Sequence, residues 1–583
     1  MSTAAFEEIL AERERRAQFR EELILEHRRP VITFTLNLAG SEKRSLLSDF
    51  AFYCGEEMLK ERLGKPVFYR HFAAPAGLCS FFVYGERAAV LKKICMELEE
   101  SEIGRIFDFD VSDEHGCGLF RSVPRKCLLC SAPAAECARS RAHPLEQVRK
   151  KTNTILEKFA AEHLSAKARL ALLEELDLTP KPGLVDKNGS GAHSDMSYSL
   201  FCKSADALLP YFEHAVLIGL GGGGLAPLER EGLFAEEAML SATGGINTHK
   251  GAIFLFGLLL YGCGRYLSCG ENPFSAAAAL AAEKEPAKGT HGEKARLEHG
   301  AFGALGEAVF GFPTVKSAAR SLCCGKNPLW VFFEIMERTD DTNVLFRGGD
   351  EALRFVKQSA ENALFLSDGE LFSESARLDG EFIRWNISPG GCADIFALSV
   401  FSAKNLPQEL FEGGVSLRKA APKDLSEIKN IFSAIIKKMA AEGNSVWDEF
   451  YPCEFFAADI AEKRLYLLEE DGKIISAFVL EKSSDGEDCV LWKNPFARAF
   501  YLMRFGVNPE YTGRGFGVLS LQYAKKIAKL LCGEYLRLFV AEKNIPAIRL
   551  YEKCGFSPAD GIFQNEIAPG EFLPELGYEL YLE

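Results

Sequence analysis

Thr179-Pro180-Lys181-Pro182-Gly183-Leu184-Val185-Asp186-Lys187-Asn188, continued by Gly191-Ala192-His193-Ser194-Asp195-Met196, decides how the centre of this chain is read. Residues 165–178 follow helical spacing. Two prolines and a glycine then stop the pattern, so an irregular loop crowds Lys181, Asp186, Lys187, His193 and Asp195 together. The same character returns downstream. Gly244-Gly245-Ile246-Asn247-Thr248-His249-Lys250-Gly251 precedes an apolar helix, and His291-Gly292-Glu293 occupies a polar bend. Asp340-Asp341-Thr342-Asn343 precedes Arg347-Gly348-Gly349, and Ser388-Pro389-Gly390-Gly391-Cys392-Ala393-Asp394 opens another apolar run. Each break sits at a predicted helix edge, where free amides and a partial positive charge favour phosphate oxygens. Carboxylates cannot bind phosphate directly, so the natural pairing runs through Mg2+, with Asp oxygens on the ion and the ion on a polyphosphate. One such break is ordinary helix capping. Several in one helical segment point to a shared site for a phosphorylated substrate.

Composition sets the class. A chain of 583 residues with 47% hydrophobic content is expected to hold three or four domains with real cores. Seventeen cysteines without a secretory leader pattern predict reduced thiols and a cytoplasmic protein. The apolar run of residues 251–264 is too short to span a bilayer and is flanked by Lys250 and Arg265, so a buried helix and no membrane association are expected. A net charge of −14 argues against non-specific nucleic-acid binding, which needs clustered cations. Residues 121–150 run against that balance: Arg121, Arg125, Lys126, Arg139, Arg141, Arg149 and Lys150 face only Glu136 and Glu146. Such a patch suits a polyphosphate or an acidic carrier protein as well as it suits a solvated face.

Periodicity predicts a multidomain chain: an α+β N-terminal domain over 1–150, an all-α middle domain over 152–402 and an α/β C-terminal domain over 416–583. In the first part, residues 5–27 read as an amphipathic helix, and residues 31–36, 81–84 and 106–111 as strands. Asp108 and Asp110 then face the same side of one strand, an arrangement that suits Mg2+ against a di- or triphosphate. Asn37-Leu38-Ala39-Gly40-Ser41-Glu42-Lys43 follows the first strand and offers amides and a cation. Cys127, Cys130, Cys137 and His143 have the ligand types of a closed zinc site, though reduced structural cysteines explain them equally well. The glycines at 221–224 lack the Lys-Ser/Thr ending of a phosphate loop and read as a connection.

The first part resembles the transferase that attaches the prosthetic group to the acyl carrier (gamma) subunit of citrate lyase. The likeness lies in Arg13 and Arg16, Leu36-Asn37 with Gly40 and Lys43, Gly104-Arg105 before Asp108-Phe109-Asp110-Val111, and the Cys127 to His143 cluster. The middle part is similar to triphosphoribosyl-dephospho-CoA synthase through each of the breaks quoted above. Leu38-Ala39 departs from the expected proline before Gly40, and Cys392 stands where a small residue such as serine is usual.

The resemblance implies that ATP and 3'-dephospho-CoA give 2'-(5''-triphosphoribosyl)-3'-dephospho-CoA and adenine. The product is then transferred to a carrier serine with loss of pyrophosphate. That first step is glycosyl transfer through an oxocarbenium-like transition state, which calls for a base, an acid and Mg2+ on the phosphates. Asp186, Asp195, Asp340 and Asp341 are expected among metal ligands and base, and His193 or Glu293 as acid or base. Lys181, Lys187, Asn247, His249, Lys250 and Arg347 are expected on the nucleotide. Asp108 and Asp110 are expected on Mg2+ for the pyrophosphate, with Asn37, Lys43 and Arg105 offsetting its charge.

In the third part, Val507-Asn508-Pro509-Glu510-Tyr511-Thr512-Gly513-Arg514-Gly515-Phe516-Gly517-Val518 ends a strand and opens a helix, so amides converge where a pyrophosphate can sit. With residues 544–556 and Trp447-Asp448-Glu449 it resembles the acetyl-CoA site of the GNAT acetyltransferase family. Thr512 departs from the usual Arg or Gln. The resemblance places Val507, Gly513, Arg514, Gly515, Gly517 and Asn544 on the cofactor and makes Tyr551 the acid for the CoA thiolate, its acceptor unread. Two other readings stay open: the equivalent synthase of malonate decarboxylase, and a GNAT enzyme carrying non-catalytic scaffold domains.

Overall fold

The computed structural model describes all residues except 1–2, 41–42, 75–76, 286–290, 449, 471 and 583, and the side chains of 1–10, 291, 293 and 568. It gathers the chain into two compact units, one of residues 1–168, 208–234 and 259–276, the other of residues 169–207, 235–258 and 277–583.

In the first unit, five strands form a sheet in the order β2-β3-β1-β4-β5: β1 Val31–Leu36, β2 Phe68–Ala74, β3 Gly77–Val83, β4 Phe107–Ser112 and β5 Gly118–Leu119. Neighbours are antiparallel. Alternation along β1 and β4 sends Ile32, Phe34, Phe107, Phe109 and Val111 to one face, where they join Phe52 and Leu59 from the helix Leu46–Leu63 and Leu91 and Leu98 from the helix Ala88–Leu98. The aromatic heart is tight: Phe34 stacks on Phe109 at 4.2 Å and on Phe52 at 4.6 Å. The helix Thr3–His27 covers the opposite face, with Leu23 and Ile24 against Val31, Phe81 and Val83. Only half of that face is apolar. Thr33 and Thr35 share it, and their cross-strand partners are Asp110 and Asp108.

From residue 145 to residue 405 every regular element among the described residues is a helix, as the 3.6-residue pattern predicts. The border expected between residues 150 and 152 lies inside one 33-residue helix, Leu145–Asp177, because the spacing carries no break there. The apolar run at 251–264 belongs to the 20-residue helix Lys250–Cys269. Its length and composition would suffice to cross a membrane, yet 72% of its apolar stretch is buried, which is how a core helix behaves. All seventeen cysteines are free.

Beyond residue 414 an eight-stranded sheet runs β6-β7-β8-β10-β11-β13-β12-β9, built from β6 Val415–Lys419, β7 Leu465–Glu470, β8 Lys473–Glu481, β9 Val490–Leu491, β10 Ala499–Val507, β11 Tyr535–Ala541, β12 Ser557–Ala568 and β13 Glu571–Tyr581. β10 and β11 are the parallel pair, joined through the helix Phe516–Leu530, and the other neighbours are antiparallel.

Because Phe34 is fully buried between two stacked rings, Phe34→Ala should cost about 3 to 5 kcal/mol. The check is the denaturant midpoint of the transition that reports the first unit, and an unchanged midpoint would refute the packing described.

Candidate functional site

A cleft of about 330 Å³ opens over the polar half of the first sheet. Arg13, Arg16 and Arg20, spaced to share one face of the N-terminal helix, form one wall. Asn37 and Lys43 form a second, and Thr33, Thr35, Asp108 and Asp110 the floor. Arg16 is anchored, donating to the Gly77 carbonyl at 2.8 Å and to Glu12 at 3.2 Å. Lys43 donates to the Leu38 carbonyl, and burial, with Arg13 and Arg149 nearby, holds its pKa below the usual lysine value. Burial, then Asp110, pushes the Asp108 carboxyl up, although Arg125 stands 3.4 Å away. The Thr33 hydroxyl is buried without a hydrogen-bond partner among the described residues, and Thr33 lines this cleft. An orphaned hydroxyl beside two carboxylates on one strand face fits a hydrated Mg2+ and its phosphates.

The structure brings Asp108, Asp110, Asn37 and Lys43 together in one cleft and adds Arg20, Thr33 and Thr35, which the sequence reading did not single out. The i, i+3, i+7 spacing from Arg13 was the available signal. Arg105 is a correction: it is turned onto the Cys127 carbonyl at 2.6 Å and does not line the cleft.

In the helical segment, the loop after residue 177 is held by its own charges. Asp186, 5% exposed, accepts the amides of Lys181 at 3.0 Å, Asn188 at 2.7 Å and Gly189 at 3.1 Å. Lys181, 1% exposed, is ion-paired with Glu175 and donates to its carbonyl at 2.9 Å. The ammonium expected on phosphate therefore closes the end of a helix, since a buried cation needs a buried anion. Gly183 has φ +68°, and a Cβ there would stand 2.3 Å from the Ile387 carbonyl, so this turn requires glycine.

Asp341 joins two helix N-termini. One oxygen caps the helix Thr342–Ala363 through the amides of Asn343 at 2.8 Å and Val344 at 3.3 Å; the other accepts the Cys392 amide, in the first turn of the helix Gly390–Asn405, at 2.9 Å. Burial raises the Asp340 carboxyl, but Lys357 at 2.7 Å and Lys419 at 3.4 Å more than reverse this and hold it well below the usual range. Mg2+ expected at Asp340 and Asp341 does not fit these residues: one carboxylate is bridged by two ammonium groups and the other is filled by three amides.

His193 Nε2 lies 2.8 Å from Ser388 Oγ, and Arg347 faces its Nδ1 at 3.2 Å while also donating to the Ala192 carbonyl and to Asn386. Burial and then Arg347 lower the His193 pKa, so the ring is neutral and both nitrogens are engaged. His249 is 4% exposed and bonded to Ser204 at 2.7 Å; burial, then Lys181, pushes it down to about 3. It is a neutral core histidine and not a phosphate cation. Lys187 pairs with Asp177 at 3.0 Å, Lys250 with Glu236 at 2.8 Å, and Asn247 accepts the Lys250 amide, all at the surface. Asp195 is exposed, and the side chain of Glu293 lies outside the described residues.

The residue that the expected set lacked is Asp394. No hydrogen-bond donor among the described residues reaches its carboxylate, and burial, then Glu175 and Asp341, raise its pKa well above the usual range. A Cβ on Gly251 would meet its Oδ2 at 2.0 Å, so glycine there lets the carboxylate lie against the first turn of the helix Lys250–Cys269.

In the last sheet, β10 and β11 pair only from Ala499 to Tyr501 and then part. Val507 ends β10, Gly513 and Gly515 take φ +82° and +84°, and Gly515 is the N-cap of the helix Phe516–Leu530, in which Gly517 abuts Leu550. Arg514 pairs with Glu470 at 3.1 Å. Asn544 caps the helix Ile545–Lys553 and accepts from Asn444 at 2.9 Å. Tyr551 is buried; that burial, then Tyr451, keeps its hydroxyl protonated beyond the usual range.

Residues 4–159 match the family profile of apo-citrate lyase phosphoribosyl-dephospho-CoA transferase, residues 161–410 that of ATP:dephospho-CoA triphosphoribosyl transferase, and residues 435–556 that of the GNAT acetyltransferases. Protein CitXG of Haemophilus influenzae is 31% identical over 455 residues, covering 69% of this chain and 96% of its own. The chain belongs to the CitXG family. A 2-(5''-triphosphoribosyl)-3'-dephosphocoenzyme-A synthase of Klebsiella pneumoniae is 37% identical over 42% of this chain and 91% of its own. A GNAT acetyltransferase of Streptococcus agalactiae covers 29% of this chain at 19% identity and TM-score 0.26, with 96% of its own length matched. As a CitXG-type chain with a GNAT region, the protein is a multifunctional transferase.

His249 supplies a pH test. A depressed folded pKa means that the unfolded chain takes up the proton first, so stability is full above about 6.5 and falls as pH drops toward 3. By pH 5 the loss should reach about 2 kcal/mol. His249→Gln should show a smaller melting-temperature drop between pH 7 and pH 5 than the parent; an equal drop contradicts the buried neutral ring.

Proposed function

We propose that this chain builds the citrate lyase prosthetic group from ATP and 3'-dephospho-CoA and attaches it to a serine of the acyl carrier subunit. The observation that carries the reading is the first cleft, where three arginines and Lys43 face two carboxylates on one strand. That combination suits a pyrophosphate leaving group.

In the synthase step the ribose 2'-hydroxyl of dephospho-CoA attacks the anomeric carbon of ATP. The new C–O bond forms as the bond to adenine breaks, and the triphosphate is retained. Asp394, whose carboxyl burial pushes well above the usual range, is assigned as the acid that protonates departing adenine; Asp195, exposed on the loop, is assigned as acceptor of the hydroxyl proton. Asp341, which takes the amides of Asn343, Val344 and Cys392, acts as scaffold by tying the starts of the helices Thr342–Ala363 and Gly390–Asn405 together. Asp186, Lys181 and Glu175 act through the loop they hold.

In the transfer step the carrier serine attacks the phosphorus nearest the ribose and pyrophosphate leaves. Asp108 and Asp110 would hold Mg2+, which when bound offsets the charge of that leaving group. Arg13, Arg16, Arg20 and Lys43 supply fixed positive charge around it, and the basic surface of residues 121–150 receives the carrier. For the third region we propose acetyl-CoA-dependent acetylation of the carrier's prosthetic thiol, with Tyr551 protonating the CoA thiolate. The free thiols support a reducing, cytoplasmic setting.

Mass spectrometry of apo-carrier incubated with the protein, ATP, dephospho-CoA and Mg2+ should show the phosphoribosyl-dephospho-CoA adduct, and an unmodified carrier refutes the reading. Asp394→Asn should slow adenine release by roughly 10² to 10⁴-fold. In contrast, the double variant Asp108→Asn/Asp110→Asn should release adenine at the parent rate and leave the carrier unmodified. Adenine release lost in the second variant, or retained in the first, assigns the two steps wrongly. Acetyl-CoA with holo-carrier should yield acetyl-carrier; none formed removes the acetyl-acceptor assignment.

A further inference from the structure

Residues 113–143 are poor in everything that orders a chain. They contain a single short helix, Ala134–Ser140, with no buried residue, and a two-residue strand. Most of their side chains are exposed, Phe120 at 91% and Val123 at 70% among them. Such a stretch buries too little apolar surface to offset its conformational entropy and needs a covalent or metal staple.

The fold nevertheless brings four donors from this stretch to one point. Cys127 Sγ, Cys130 Sγ, Cys137 Sγ and a ring nitrogen of His143 all lie within 4.8 Å of one another. Cys130 Sγ is 3.5 Å from Cys137 Sγ and 3.3 Å from His143 Nε2. A tetrahedron with bonds of about 2.3 Å has edges of roughly 3.7 Å, so these separations are those of ligands around one ion. The amide of Leu129 points at Cys127 Sγ from 3.5 Å, the turn geometry that stabilises a bound thiolate. We propose that Cys127, Cys130, Cys137 and His143 bind one zinc ion in a closed structural site. Three thiolates and an imidazole in tetrahedral arrangement select zinc over hard cations, and four protein ligands leave no open position for catalysis.

The site also does something for the cleft. Cys127 donates its amide to the Ala132 carbonyl at 2.7 Å and accepts Arg105 on its own carbonyl at 2.6 Å. Arg125, two residues earlier, donates to the Phe107 carbonyl at 2.7 Å, pairs with Glu99 and stands 3.4 Å from Asp108. The zinc would thereby pin the strap that carries Arg125 against the strand holding Asp108 and Asp110.

The test uses the full chain, purified under reducing conditions without chelator. Elemental analysis should find about one zinc per chain. X-ray absorption at the zinc edge should show three sulfurs at about 2.3 Å and one nitrogen at about 2.0 Å. Cys130→Ser and His143→Ala should lose zinc under conditions in which the parent and the remote control Cys324→Ser keep it. Chelation should lower the melting transition of the first unit in the parent and leave it unmoved in Cys130→Ser. A metal-free parent, iron or copper in place of zinc, oxygen-dominated coordination, or a Cys130–Cys137 disulfide found by peptide mass mapping would each overturn the assignment. Because the absorption measurement needs no variant, failure of a variant to fold does not shield the proposal.

Discussion

Irregular backbone carried into a protein interior must have its amides satisfied, and at the centre of this chain two aspartates meet that demand. Asp186 takes three amides of the loop after residue 177, and Asp341 takes three amides from the first turns of two helices. Each arrangement converts a break in the helical pattern into a fixed corner, because a buried carboxylate is tolerated only when its oxygens are filled. Glu175 and Lys181 close the helix end beside the first corner. With these charges consumed internally, Asp394 is left without a hydrogen-bond donor among the described residues, and burial, then Glu175 and Asp341, push its carboxyl well above the usual range.

The first unit reaches a charged site by another route. Strand alternation sends every second residue of β1 and β4 to the aromatic core and the intervening ones to the opposite face, so Thr33, Thr35, Asp108 and Asp110 are brought together by register alone. The N-terminal helix covers that face with apolar residues near its C-terminal end and with arginines nearer its start. One helix therefore closes a core and walls a cleft, and the stacked rings of Phe34, Phe52 and Phe109 set the floor on which the carboxylates stand. Fixed cations over two carboxylates form a field that suits a metal-bound anion better than a bare cation or a bare anion.

Several charged residues that the sequence reading expected on ligands are given internal partners by the structure. Lys181 and His249 look like phosphate ligands in the sequence because they are cationic and lie at helix edges; burial makes one a structural strut and the other a neutral ring. Asp340 and Asp341 look like a metal pair because they are adjacent, yet the backbone turns them to different partners. Arg105 stands next to the carboxylate strand in sequence and still faces away from the cleft. Asp108 and Asp110 were legible because a strand fixes the relation between i and i+2, whereas a loop fixes no such relation.

The sequence by itself determined the fold class, with its helical residues 152–402, the strand that aligns two carboxylates and the glycine-rich turn before the helix Phe516–Leu530, because periodicity and turn chemistry are local properties. Tertiary structure alone decided which charges are free. It buried Lys181 against Glu175, filled Asp186 and Asp341 with amides, set Asp394 near Glu175 and Asp341, and closed three cysteines and a histidine on one point. Solvation and partnership are set by residues distant in the chain, and only packing brings those residues together.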